Sequence, residues 1–199
     1  MRVEGLTKTL LAPTVVHAAS GFITKGGTPK GSCPAASGAG ALDAAVHHKW
    51  NGSWDSKYQA LSVTSILGES HALSSKDYWS IWVNNAYAPS GICGLKLRAG
   101  ETLLFAAVPD TPTEYPLGLS GPATGTATAG KAFTVKAVAY NGAGKAKPLA
   151  GVTVSGGGFK VRSNSHGVAT ITPTKVGKLV LHGSKKDYIR AASLTVRVK

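Results

Sequence analysis

The sequence predicts an α+β domain followed by an all-β domain, and three observations carry that reading. Charge divides the chain: residues 1–110 hold nine Lys/Arg against seven Asp/Glu, whereas residues 111–199 hold thirteen against two, Glu114 and Asp187. Aromatic residues lean the other way, with all four Trp before residue 110. Only one segment carries a sustained helical pattern, and it lies in the first half. Two surfaces of different chemistry imply two domains, each long enough for its own core. The boundary falls in Val108-Pro109-Asp110-Thr111-Pro112-Thr113-Glu114-Tyr115-Pro116, where three prolines disfavour helix and favour a stiff connector. The expected division is residues 1–108, a linker at 109–116, and residues 117–199.

In the first domain, Arg2 to Leu10 and Pro13 to Ala18 read as short strands with a turn near Leu11-Ala12. Lys25 to Gly31 is a glycine-rich loop leading to Cys33. Ser37 offers a helix N-cap for Ala39 to Trp50, where Leu42, Ala45, Val46 and Trp50 form one apolar stripe. Asn51-Gly52 ends it, and His47, His48 and Lys49 lie where a helix C-terminus favours cations. Leu61 to Leu67 is a strand, followed by a loop through Glu69, His71 and Ser75. Tyr78 to Asn84, Leu95 to Leu97 and Thr102 to Val108 complete the set. Several strands around one helix make a β-grasp-like layout.

The second domain shows strand patterns only. Phe133, Val135, Ala137 and Ala139 alternate with Thr134, Lys136, Val138 and Tyr140. Residues 152–154, 159–161, 168–171, 178–181 and 193–198 follow at turn-punctuated intervals. That spacing predicts an immunoglobulin-like β-sandwich.

The cysteines, Cys33 and Cys93, lack metal-ligand or redox-motif spacing and read as a disulfide, with two buried free thiols as the alternative. High Gly, Ser, Thr and Ala content with few acids suits an exported β-protein. Residues 1–19 resemble a signal peptide only faintly, because the apolar run is short, holds Pro13 and follows Glu4. Met1 reads instead as an added start on a mature chain whose export signal has been removed. No run approaches the length of a membrane span.

Period-2 geometry places Trp79, Ile81 and Val83 on one side of their strand and Tyr78, Ser80, Trp82 and Asn84 on the other. The second side, with Asn85 and Tyr87, is the expected ligand site: aromatics supply rigid apolar area, and Asn amides both donate and accept. A small molecule with a flat conjugated ring, a glycan or a peptide suits it. The alternative packs Trp82 under the helix or against the second domain. Lys145, Lys147, Lys160, Arg162, Lys185 and Lys186 are the expected contacts for an anionic cell-surface polymer. No aromatic platform interleaves them, so specific nucleic-acid recognition is not expected. Solubility and edge protection are the other use of such lysines. No catalytic triad, nucleophile elbow or metal-ligand spacing occurs, so neither an enzyme nor a bound cofactor or metal is expected.

Residues 2–108 resemble the transcobalamin-like C-terminal domain family of bacterial exported and surface proteins. The matching segments are VEGLTKTLL at 3–11, CPAASGAGALDAA at 33–45 and YWSIWVNNAYAPSGICGLKLRAGETLLFA at 78–106. The resemblance implies a β-grasp-like fold and a Cys33–Cys93 bridge within the domain. In the vitamin carriers that give the family its name, the equivalent domain closes over one face of cobalamin, which makes corrinoid binding a lesser alternative. Residues 117–199 are similar to a bacterial immunoglobulin-like repeat through SNSHGVATITPTKVGKLVLHGSKKDYIRAASLTVRV, which implies a spacer or adhesion module. Together these readings give a secreted or cell-surface, non-enzymatic binding module, or else a structural or adhesive surface protein without a small-molecule pocket.

Overall fold

The computed structural model describes residues 1–17, 19–72, 76–88, 90–111 and 114–199. The chain divides into two compact units, Met1–Thr113 and Glu114–Lys199. The division lies inside the proline-rich segment, but that segment is not all connector. Pro109 closes one strand, and Tyr115 and Pro116 open the next.

The first unit holds strands β1 (Arg2–Glu4) and β2 (Thr9–Leu11), helix α1 (Gly38–Ala45), β3 (Trp50–Asp55), β4 (Ala60–Ile66), β5 (Glu69–Ser70), β6 (Asp77–Val83), β7 (Ala86–Tyr87) and β8 (Leu103–Pro109). One sheet runs β2-β1-β8-β6-β7 and a smaller one runs β3-β4-β5. Strand β8 reads LLFAAVP and is buried through Val108. It lies between β1, its parallel neighbour, and β6, its antiparallel one, and its residues are buried on both sides of the sheet, as its unbroken apolar run requires. Val3, Leu103, Phe105, Ala107 and Trp79 form the side that packs with Leu42 and Ala39 of α1 and with Leu61, Val63 and Ile66 of β4.

Local structure departs from expectation at several places. The first turn comes early, at residues 5–8, because Gly5 N–H donates to the Lys8 carbonyl. Pro13 to His17 forms no regular strand, although Thr14 exchanges main-chain hydrogen bonds with Met1. Ala18 and Ser75 lie outside the described residues. Residues 95–97 contribute only an isolated bridge, Ser37 to Lys96.

The helix is also shorter than its apolar stripe. It ends at Ala45, and His47 and His48 take left-handed backbone angles. Trp50 then pairs with Ile66 in β3, so the ladder to β4 wins over continuation of the helix. Asn51 and Gly52 sit at a bulge within β3 rather than at a helix end. Asp43 secures the reversal, accepting from the Trp50 indole N–H at 2.7 Å and contacting His48 Nδ1 at 2.6 Å. Ser37 occupies the N-cap position, but its hydroxyl donates to the Pro34 carbonyl instead of capping. Gly40 is required by packing: a Cβ there would lie 1.8 Å from the Ala35 carbonyl oxygen. Cys33 and Cys93 form a disulfide across 60 residues, tying the approach to α1 to the segment before β8.

The second unit holds β9 (Tyr115–Ser120), β10 (Thr126–Ala127), β11 (Phe133–Tyr140), β12 (Ala146–Pro148), β13 (Thr153–Gly156), β14 (Phe159–Arg162), β15 (Val168–Ile171), β16 (Gly177–Ser184), β17 (Tyr188–Ile189) and β18 (Leu194–Val198). Its sheets run β10-β18-β16-β13-β14 and β12-β11-β9-β17, with β15 paired to β11. Val135, Ala169 and Ile171 from one sheet share a core with Val154, Leu179, Leu181 and Val198 from the other, so the sheets pack face to face.

Candidate functional site

Within the expected aromatic site Trp82 is sealed, whereas Asn84 and Tyr87 are exposed. Trp82 is 0% exposed and Trp79 only 6%, so both indoles of β6 are buried. Trp82 lies in register with Leu104 of β8, on the side of the sheet opposite α1, where Ser80, Ala106 and Val108 are buried as well. Its indole N–H donates to Ser80 Oγ, which in turn donates to the Ala106 carbonyl. The Tyr87 ring meets it edge-on at 5.2 Å. Arg2 and Glu4 continue this side as a buried ion pair of 2.8 Å, with Thr9 Oγ1 donating to the same carboxylate. Alternation along the strand correctly separates the two indoles, but it cannot tell whether the second side is covered.

Of the other expected residues, Tyr78 is half-buried and Tyr87 is 40% exposed. Asn84 and Asn85, both left-handed, form the turn between β6 and β7. Asn84 is a structural brace: its Oδ1 accepts from Thr102 N–H at 2.9 Å, and its Nδ2 reaches Glu101 Oε1 at 3.4 Å. Glu101 Oε2 accepts from Arg98 N–H. These bonds hold the turn of residues 98–102.

That turn forms one wall of an open groove of about 530 Å³. Ala36, Ser37 and Ala41 at the start of α1 form a second wall, and Val15, Val16 and His17 form a third. Leu97 and Leu103 supply apolar floor, while Arg98, Glu101 and Thr102 bring polar groups to the rim. None of Tyr78, Trp82, Asn84, Asn85 and Tyr87 lines it. The groove is assembled from three segments distant in sequence, none of which carries a recognition signature by itself.

A second polar cluster was not expected. His71 is buried, its Nε2 facing Glu69 Oε1 at 2.9 Å and its Nδ1 hydrogen-bonded to Asp77 Oδ1. Both ring nitrogens of His71 thus face carboxylate oxygens. The ring also meets Trp79 edge-on at 5.1 Å. Burial pushes the Glu69 carboxyl up, but the His71 hydrogen bond, the Leu6 N–H and the charges of His71 and Lys8 together hold it below the ordinary carboxylate value. Glu69 thereby clamps β5 to the turn after β1. Among the described residues, no group of three or more His, Cys, Asp or Glu side chains is placed to hold a metal ion, and no helix is long and apolar enough to cross a membrane.

The six expected polymer contacts are spread over three elements of the second unit. Lys160 and Arg162 share the outer side of β14. Lys145 and Lys147 lie at β12, on the edge of the other sheet. Lys185 and Lys186 lie in the turn before β17, where Lys185 Nζ donates to the Ala150 carbonyl and sits 5.8 Å from the Tyr188 ring centroid. Strand pairing, not chain order, decides which cations are neighbours. Burial, and then the Asp187 charge, push the Glu114 carboxyl up, against the opposing Arg190.

Comparison with family models, curated proteins and solved structures finds no match to this chain.

Proposed function

We propose that the chain is a non-enzymatic, secreted or cell-surface binding module. A small molecule or glycan occupies the groove beside the start of α1, and the second unit acts as spacer or anchor. The β-grasp-like and immunoglobulin-like readings of the two units belong to this proposal. They are supported by helix α1 packed on a mixed sheet in one unit and by two face-to-face sheets in the other. The observation that carries the reading is the groove itself. Its volume of about 530 Å³ lies within the range of small-ligand sites, roughly 300–1,000 Å³, and it joins apolar walls to a few polar rim groups. The Cys33–Cys93 disulfide suits an oxidising compartment.

The test is a heteronuclear NMR titration of the full chain with a library of mono- and disaccharides and planar heterocycles. Amide shifts are expected at Ala36, Ala99 and Thr102, and Ala36→Trp, which fills the groove from an exposed position, is expected to abolish them. Shifts confined to other surfaces, or none across the library, would overturn the groove as the site. Cobalamin belongs in the same titration, because the resemblance makes a corrinoid the lesser alternative; a change in its visible spectrum that Ala36→Trp removes would identify it.

A structural or adhesive role without a pocket is the second reading. The sealing of Trp82, which turns the most aromatic strand into core, favours it.

A further inference from the structure

Strand alternation and register in the second unit assemble a cationic surface that chain order conceals. On the outer side of the sheet β10-β18-β16-β13-β14, Lys178 pairs directly with Arg197. Two strands further on, Lys160 stands opposite Ser155 and Arg162 opposite Thr153, while His182 stands opposite Ser155 from the β16 side. All four cations and His182 are exposed, and none of the four is ion-paired among the described residues. Between the two pairs lie Thr195, Val180, Ser155, Thr153 and Ser184. No carboxylate occurs on any of these strands; the unit's only two, Glu114 and Asp187, lie outside this sheet.

We propose that this sheet side is a docking surface for an acidic polysaccharide, a linear glycan bearing carboxylate or sulfate groups. The inference rests on the reading of the second unit as an anchor and is independent of the groove. Charge complementarity carries it. Strands lie about 4.8 Å apart and rise about 3.4 Å per residue, so the two cation pairs are separated by about 20 Å on the diagonal. A single small anion cannot bridge that span, whereas an extended polymer crosses it and meets the Ser and Thr hydroxyls between. Val180 is the one large apolar side chain on this side, too little to enter a lipid surface. Phe, Tyr and Trp rings, on which single-stranded nucleic acid stacks, are absent from its outward positions, and His182 is the one ring there.

The experiment measures binding of the full chain to heparin-derived octasaccharides at fixed salt. The variant K160Q/R162Q/K178Q/R197Q is compared with K145Q/K147Q/K185Q/K186Q, which removes the same charge elsewhere. The first is expected to weaken binding at least about tenfold and the second less than about threefold. In the unaltered protein, bound octasaccharide is expected to protect Lys160 and Lys178 from acetylation but not Lys145 or Lys147, a readout that does not depend on a variant folding. Equal losses in the two variants, or equal protection of all four lysines, would reduce the effect to net charge and overturn the proposal. So would an absence of binding, or tighter binding to an oligothymidylate or to anionic vesicles. Ala36→Trp is expected to leave octasaccharide binding unchanged, which separates failure of this surface from failure of the groove.

Discussion

Replacing Trp82 with Ala tests whether the aromatic strand is architecture or binding surface. The indole is 0% exposed, and loss of a buried Trp to Ala costs about 3–5 kcal/mol through lost transfer energy and the cavity left behind. Two specific contacts are lost within that figure. The hydrogen bond to Ser80 contributes about 1 kcal/mol and the edge-on contact with Tyr87 about 0.5–1.5 kcal/mol. Trp82→Phe keeps a ring against Tyr87 and leaves Ser80 bonded to the Ala106 carbonyl, so it should cost roughly half as much. Urea unfolding followed by Trp fluorescence is a clean assay, because every Trp lies in the first unit and three remain in either variant. With a urea slope of about 2 kcal/mol/M, Trp82→Ala should lower the midpoint by about 2 M and Trp82→Phe by about 1 M. A shift below about 0.5 M for Trp82→Ala would refute the burial argument and reinstate an accessible aromatic face.

The disulfide closes a loop of 60 residues, so replacing both Cys33 and Cys93 with Ser should destabilise the first unit by about 4 kcal/mol in the chain-entropy account, read by the same fluorescence transition with and without reductant. Glu69 gives a pH prediction. Its folded carboxyl titrates below its unfolded value, so its charge contributes stability above the unfolded value, and that contribution disappears as pH falls through the folded one. The difference in urea midpoint between the wild type and Glu69→Gln should therefore shrink between about pH 5 and about pH 3; a constant difference would mean that the charge itself contributes nothing.

The strands of the second unit were legible because one side of each meets a core: Phe133 to Tyr140 and Val168 to Ile171 form strands over the expected ranges. The short β10, β12 and β17 were not legible, since two or three residues carry too little periodicity. The end of α1 was misread for a different reason. Val46 and Trp50 continue the helical stripe, but Trp50 finds both a ladder partner in Ile66 and an acceptor in Asp43, and neither is visible from a local window.

Composition and alternation alone determined the two-unit organisation, the unequal charge of the units, the β-rich character and the partition of Trp79 and Trp82 to opposite sides of one strand. These are properties of nearest neighbours along the chain, and the 2-residue period expresses them directly. Tertiary structure alone decided that both indoles are covered, that residues 15–17, 36–41 and 97–103 meet around a groove, and that Lys178 and Arg197 face the same way as Lys160 and Arg162. Each depends on which distant segments the sheet register brings side by side, and register follows from the packing of the whole core rather than from any one strand.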